Sequence, residues 1–221
     1  WQKFRRHHMA IVGLSVLSVF LVISLIPGFL APYGTQTNNL RYPQGPPMGV
    51  HFFDTEGNFH ARPFVYGWTS TRDPVTLRQI TTVDHSKLYP IEWFARGESY
   101  KLLKLFKTDI HLFGVKDSYI HLFGTDQIGR DVFSRLMYAT RTSLSIGVIG
   151  VIVAFVLGLT FGGISGYVGG MTDLLIMRVV EFIRSIPTLP LWLALAAALP
   201  RDWSATQVYI AITVILAMIG W

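Results

Sequence analysis

Arg178, Glu181 and Arg184 stand three residues apart, a spacing that puts all three on one face of a helix, inside or beside a long apolar stretch. A charge at mid-bilayer costs ~2.5–3.5 kcal/mol on insertion scales, so such residues pair or face a cavity. Glu181 can pair with either arginine. The trio fits a translocation or gating face, or a structural ion pair near the cytoplasmic end with Arg178 snorkelling to the interface. Pro187 follows and removes a backbone hydrogen bond mid-span, a break that is tolerated where protein or a water-filled cavity re-satisfies the backbone. A second charged group, Asp126, Arg130, Asp131 and Arg135, lies before another apolar run. There Thr125 or Asp126 can cap a helix, and Asp131 and Arg135 form an i,i+4 pair.

No other grouping has the spacing of a reactive site. The seven His include no His-Glu-x-x-His or His-x-x-x-His pattern and read as surface or packing residues. The chain has no Cys, which excludes a thiolate metal site, a disulfide framework and a cysteine nucleophile. Neither a phosphate-binding Gly-x-x-x-x-Gly-Lys-Ser/Thr loop nor a Gly-x-Ser-x-Gly elbow is present. No catalytic, cofactor or metal residues are therefore expected in this chain, and nucleotide hydrolysis would have to occur elsewhere.

The elements that position these residues follow from how charge is distributed. Of 221 residues 51% are hydrophobic and only 14% charged, against ~25% charged in soluble domains. Residues 9–40 and 142–172 carry no formal charge, while residues 32–124 hold 18 of the 32. About 20 apolar residues cross a ~30 Å hydrocarbon layer, so the uncharged runs read as membrane spans. The net charge of +6 would suggest nucleic acid in a soluble protein. Here the basic residues sit mostly beside apolar spans, where anchoring to lipid explains them better.

Five segments result. Residues 1–8 form a basic arm with Lys3, Arg5 and Arg6, placed in the cytoplasm by the positive-inside rule. Residues 9–31 are a first transmembrane helix, too long for a signal-peptide core of ~7–15 residues. Residues 32–124 then lie outside as a small β-rich domain, with a hairpin pattern over 50–66 around a turn at 55–58 and further strands or short mixed elements over 89–94 and 102–113. Residues 125–141 read as an interfacial helix kept out of the hydrocarbon by Arg130, Arg135 and Arg141. Residues 142–221 hold a second span, a third interrupted by Pro187 and Pro190, and a fourth still running at Trp221. Trp192, Trp203, Tyr209 and Trp221 suit interfacial anchoring. Gly158, Gly162 and Gly166 repeat at spacing four, which lets another helix approach closely in lipid, where hydrophobicity gives no drive to associate. Gly169 and Gly170 fit either that row or a turn. The Trp1 start and the end inside an apolar run suggest a piece of a longer protein.

Three stretches, in order, carry a resemblance: residues 121–136 (HLFGTDQIGRDVFSRL) continuing to Leu144, residues 162–170 (GGISGYVGG) and residues 177–187 (MRVVEFIRSIP). Together they closely resemble permeases of the dipeptide/oligopeptide/nickel class of ATP-binding-cassette importers, and the pattern is similar to the second permease of the pair. The resemblance implies an all-α polytopic membrane domain of the type I importer fold, here partial, with the β-rich insert as an enlarged outer domain. It implies six spans with cytoplasmic termini in a bacterial or archaeal inner membrane, and a homologous permease subunit as heterodimer partner. Two cytoplasmic ATPase subunits that hold ATP and Mg, and an extracytoplasmic substrate-binding protein, are also implied. Import would proceed by alternating access, and the coupling loop that docks on the ATPase would follow Trp221. Peptides are the expected cargo, with oligosaccharides the alternative for the same machine. A membrane-anchored scaffold or receptor is a further alternative, although a proline break and a charged helix face exceed what anchoring needs. The insert is expected to dock the binding protein or cover the channel mouth, with a passive lid as the alternative.

Overall fold

The computed structural model describes residues 6–74, 79–103 and 105–220. The basic arm's Lys3 and Arg5, and Trp221 with its anchoring role, lie outside the described residues. The chain divides into two units, Trp1–Arg141 and Thr142–Trp221.

The first unit begins with helix α1, His8–Leu25, an unbroken apolar rod with no buried residue. Its length and hydropathy suit a membrane crossing. Proline at position 27 cannot continue it, because its ring clashes with the preceding turn. Ile26 accordingly leaves helical geometry, and a single turn, α2 (Pro27–Leu30), follows.

The β-rich part contains β1 (His51–Phe53), β2 (Phe59–Arg72), β3 (Gln79–Trp93), β4 (Arg96–Leu102), β5 (Phe106–Ile110) and β6 (Phe113–Val115). β1, β2, β3 and β6 form an antiparallel sheet in that order, and β4 and β5 form a separate hairpin. The expected hairpin turn is present: Asp54 Oδ1 accepts the Glu56 and Asn58 amides at 2.9 and 2.8 Å, and Gly57 supplies the positive φ of 88°. The hydrogen bond from His60, followed by those from Asn58, holds the Asp54 carboxyl well below the usual carboxylate range. In β2–β3 the register runs Phe64↔Pro90, Val65↔Tyr89 and Tyr66↔Leu88, then shifts to Gly67↔Asp84. The extra residues on β3 form a bulge there, and a Cβ on Gly67 would stand 2.9 Å from the Tyr89 ring.

Residues 64–68 of β2 are all buried, so both faces are covered at this point. Met48, Val65, Trp68, Ile91, Phe113 and Ile120 form the core, flanked by Tyr33, Tyr42, Tyr89 and Phe133. The short elements expected over 102–113 are the end of β4, β5 and the start of β6, with Leu103 at φ 50° turning the chain between β4 and β5. The strand expected over 89–94 is longer at its start, running from Gln79.

Helix α3, Val132–Val168, begins in the first unit and continues through the second. The separate interfacial helix expected over 125–141 is not formed. Residues 125–131 are turns and bridges, and the helix runs past Arg141 without a break.

In the second unit, α3 is followed by α4 (Gly170–Arg184), α5 (Thr188–Ala198) and α6 (Ala205–Gly220). Gly169 and Gly170 have φ of 65° and 57° and make the turn between α3 and α4, which settles the two readings of this pair in favour of the turn. Ser165 donates a hydrogen bond to Asp173 across the same turn. α4 and α5 are bent by 75° at Pro187, the break the sequence marks. Pro190 sits in the first turn of α5, where its missing N–H has no helical partner to lose. Among the described residues α1 and α3 are long and apolar enough to span a membrane, and the bent α4–α5 pair makes a third if it counts as one crossing. α6 is apolar but shorter, at 16 residues.

Candidate functional site

Residues 121–135 fold back on residues 38–48 as a clasp just ahead of α3. The backbone bridge Asn38↔Arg130 joins the two segments, and Thr125↔Asp131 closes the turn within 121–135. The backbones of 39–48 and 121–130 exchange further bonds: Asn39 N to Gly129 O at 2.8 Å, Gln44 N to Asp126 O at 2.9 Å, Met48 N to His121 O at 3.0 Å and Thr125 N to Gly45 O at 3.0 Å. Two glycines are needed because the strands lie so close. Gly124 (φ 74°) and Gly129 (φ 76°) pass so near the other segment that a Cβ would fall 2.3 Å from Gly45 O and 2.1 Å from Asn39 O. Neither the dihedral nor the space admits another residue without strain.

Thr125, Asp126 and Asp131 of the motif bond within this clasp. Thr125 Oγ1 accepts from Gly45 N at 2.7 Å and donates to Tyr42 O at 2.6 Å, so it ties two segments rather than capping a helix. Asp126 Oδ1 accepts the amides of Ile128 and Arg130 at 3.0 and 2.9 Å. Its Oδ2 accepts from Arg130 Nε at 2.8 Å and Arg135 Nη1 at 2.6 Å. Burial opposes ionisation of Asp126, but the hydrogen bonds from Arg130 and Ile128 outweigh it and hold the pKa below the usual carboxylate value.

Asp131 is the cap. Its Oδ2 accepts the Ser134 amide at 2.6 Å, three residues on, which is N-cap geometry for α3. Its Oδ1 meets His121 Nδ1 at 3.0 Å, with both side chains almost fully buried. The expected Asp131–Arg135 pair is therefore not made. A capping carboxylate must face the first helical turn, which leaves Arg135 to Asp126. The His121 ring stacks on Trp68 at 5.1 Å and 16° and on Tyr119 at 6.1 Å and 7°. Tyr33 adds to this centre: its hydroxyl accepts from Ile120 N at 2.8 Å, and Ser134 Oγ accepts from Tyr33 N at 3.2 Å. Burial raises the Tyr33 pKa far above its ordinary value.

His111 is the second buried histidine. Its Nδ1 lies 2.6 Å from Ala31 O and its Nε2 3.0 Å from Glu98 O, joining the end of α2 to β4. Among the described residues no three His, Asp or Glu side chains converge as metal ligands would.

The other sequence candidates lie in the second unit. Arg178 Nη1 reaches Glu181 Oε2 at 2.8 Å, so of its two possible partners Glu181 takes Arg178; both side chains are exposed. Arg184 closes the last turn of α4, just before the bend at Pro187. Gly158, Gly162 and Gly166 lie along α3 with open space where a Cβ would stand. Within this unit an apolar hollow of about 330 Å3 lies among α3, α4 and α6, lined by Phe161, Leu175, Val179 and Met218 among others.

The His121–Asp131 contact and the Trp68 stack were not visible in the sequence. A signal did exist, since Asp131 followed at the third position by Ser134 offers a cap as good as Thr125 or Asp126. Its partner across ten residues required the Gly124–Gly129 turns to be known.

Comparison with known proteins gives a consistent result. Residues 1–47 match the family model for the N-terminal TM domain of oligopeptide transport permease C. The chain is 45% identical over 69 residues to the dipeptide transport system permease protein DppC of Bacillus subtilis, covering 31% of this chain and 22% of that one. It is 26% identical over 218 residues to DppC of Lactococcus lactis, covering 96% of this chain and 52% of the relative. It is also 36% identical over 95 residues to the glutathione transport system permease protein GsiD of Pectobacterium atrosepticum, covering 43% and 32%. A match of 218 residues takes in the β-rich part as well as the helices. The chain spans about half the length of that relative and less of the others. The resemblance read in residues 121–187 is borne out: this is a membrane protein similar to the second permease of dipeptide and oligopeptide ATP-binding-cassette importers.

Proposed function

We propose that this chain is part of the permease of a binding-protein-dependent ATP-binding-cassette importer and forms half of a pathway for peptides. In this reading its helices belong to a type I importer fold, pair with a homologous permease subunit and sit in a bacterial or archaeal inner membrane with the N-terminus in the cytoplasm. Two cytoplasmic ATPase subunits bind ATP and Mg, and an extracytoplasmic binding protein delivers cargo. The observation that carries the reading is the likeness to a dipeptide permease over nearly the whole chain. Two structural features support it.

The first is the state of α3. Among the described residues nothing lies within contact of a Cβ at Gly158, Gly162 or Gly166, and small residues four apart are what a closely approaching helix requires. The sister permease is the proposed occupant. The second is the bend at Pro187 next to Arg178, Glu181 and Arg184. A broken span in lipid leaves backbone groups to be satisfied by neighbouring protein or a wet cavity. In the proposed mechanism this face lines or gates the pathway and biases the inward–outward equilibrium. The clasp at 121–135 holds the outer end of α3 to the β-rich domain, so a load on the outer domain reaches that helix directly.

Uptake of labelled di- and oligopeptides into proteoliposomes holding the complete assembly tests this. ATP-dependent accumulation of peptide is expected, and Glu181→Ala should lower uptake per ATP hydrolysed. ATP-driven uptake of oligosaccharides alone would keep the machine and change the cargo. No ATP-dependent uptake of either class would overturn the reading.

A further inference from the structure

A cleft of about 220 Å3 opens in the first unit where α1 ends and the first turns of α3 pass the β4–β5 hairpin. Leu25 and Ile26 at the end of α1, Lys101 near the end of β4, Leu103 just after it, and Tyr138 and Arg141 on α3 are among its lining residues. The depth of the cleft relative to the bilayer follows from the sequence. Leu25 is the last residue of the apolar α1, and Arg141 is the last charge before the uncharged run of 142–172. The cleft therefore sits at the boundary between hydrocarbon and headgroups.

The cleft is built rather than incidental. Its floor is fixed by Gly28, where any Cβ would lie 2.3 Å from the Tyr100 ring. That ring is held in turn by a hydrogen bond from its hydroxyl to Ile110 O at 2.7 Å. Apolar Leu25, Ile26, Leu102 and Leu103 line it together with two cations, Lys101 and Arg141, and two phenols, Tyr100 and Tyr138. No acidic residue is among the described lining residues. The nearby Glu98 carboxylate is engaged with Gly34 N at 3.0 Å and Thr37 Oγ1 at 2.8 and 2.7 Å.

We propose that this cleft binds the headgroup of an anionic phospholipid, with Lys101 and Arg141 on the phosphate and the Leu25–Ile26 side against the glycerol and upper acyl carbons. Charge and position argue for this together. Paired basic residues with tyrosines at the interface attract anionic headgroups. The apolar half gives the base of a lipid a place that free phosphate could not use. The volume is below the ~300 Å3 at which sites for drug-sized ligands begin, so it takes a headgroup and leaves the acyl chains outside. Such a lipid would fasten α1, the β4–β5 hairpin and the start of α3 to one another. The proposal depends on the chain spanning a membrane but not on what the chain transports.

Native mass spectrometry of the full chain in mild detergent, supplied with equal phosphatidylglycerol and phosphatidylcholine, provides the test. The wild type should retain phosphatidylglycerol preferentially. The double variant Lys101→Gln, Arg141→Gln should retain about tenfold less. Lys101→Gln alone, a change at an exposed hairpin position, should lose several-fold with folding intact, whereas Arg141→Lys should keep most of the binding. Inorganic phosphate added at high concentration should leave the lipid in place. Equal phosphatidylglycerol retention by wild type and Lys101→Gln, Arg141→Gln would overturn the proposal, as would its displacement by phosphate or retention of the two lipids in equal amounts.

Discussion

In the β-rich part of the first unit, His111, His121, Thr125, Asp131 and Ser134 are all buried, and every one carries a hydrogen bond within the chain. In the second unit the single buried residue among those described is Ile212, while Phe155, Leu159, Leu175, Phe182 and Leu193 stand exposed. The contrast concerns where each region finds its partners. The β-rich region has enough aromatic and aliphatic side chains around Trp68 and Phe113 to close its own core, and its clasp pairs Thr125, Asp131 and Ser134 while Trp68 Nε1 and His121 Nε2 stay buried without a hydrogen-bond partner among the described residues. The helical region leaves apolar surface uncovered on every helix, far beyond what a monomer exposes to water. Such surface calls for lipid and for other helices. A mutation in the first region should therefore act on this chain's own folding, and one in the second on what the chain associates with.

The largest effect should come from the core of the first region. Phe64 is 1% exposed and packs against the rings of Tyr66, His51 and His60. Phe64→Ala should cost about 3–5 kcal/mol of stability, read as a drop in unfolding temperature. Asp131→Ala comes next. It removes the cap of α3, worth about 1 kcal/mol, and strands the buried His121 nitrogen, at about 1–3 kcal/mol more. Hydrogen exchange across 121–135 should rise sharply, and Asp131→Asn should recover part of the loss. Gly162→Leu sharpens the comparison from the other side. Because a Cβ there meets open space among the described residues, the unfolding temperature of the isolated chain should not fall, while recovery of the proposed sister permease on copurification should drop about tenfold. A lowered unfolding temperature with intact copurification would reverse the assignment.

The smallest effect is that of pH on the clasp. The folded pKa of Asp126 lies below its unfolded value near ~3.9, so its contribution is complete above that value and is lost as pH falls through the folded one. Exchange at the amides of Ile128 and Arg130 should quicken selectively below about pH 4, and Asp126→Asn should remove that pH dependence.

Legibility in the sequence divides along similar lines. The charge-free runs announced α1 and α3, because crossing a bilayer demands length and composition and little else. Pro187 announced the bend, and the Thr55–Asn58 tetrad announced the turn between β1 and β2, because both rest on local backbone chemistry. What stayed hidden depends on distant residues. Asp131 could serve Arg135 four residues on or the Ser134 amide and His121, and only the folded clasp decides between them. The start of α3 at Val132 rather than at 125 follows from the same choice. The Gly67 bulge and the His121–Trp68 stack need the β2–β3 register, which alternation of residue types does not fix. The core also changes how the β-rich part should be probed. Deleting residues 45–110 to probe a docking or lid role would remove Met48, Val65, Trp68 and Ile91 and unfold the core itself.

The central claim is that the uncovered helices belong to a larger energy-coupled machine. Purification of the full-length protein from its native membranes by an affinity tag, followed by identification of what accompanies it, tests this most directly. The account predicts a related permease and ATPase subunits in constant proportion, from the membrane fraction only. Recovery of the chain alone with its helices intact, or from the soluble fraction, would contradict it.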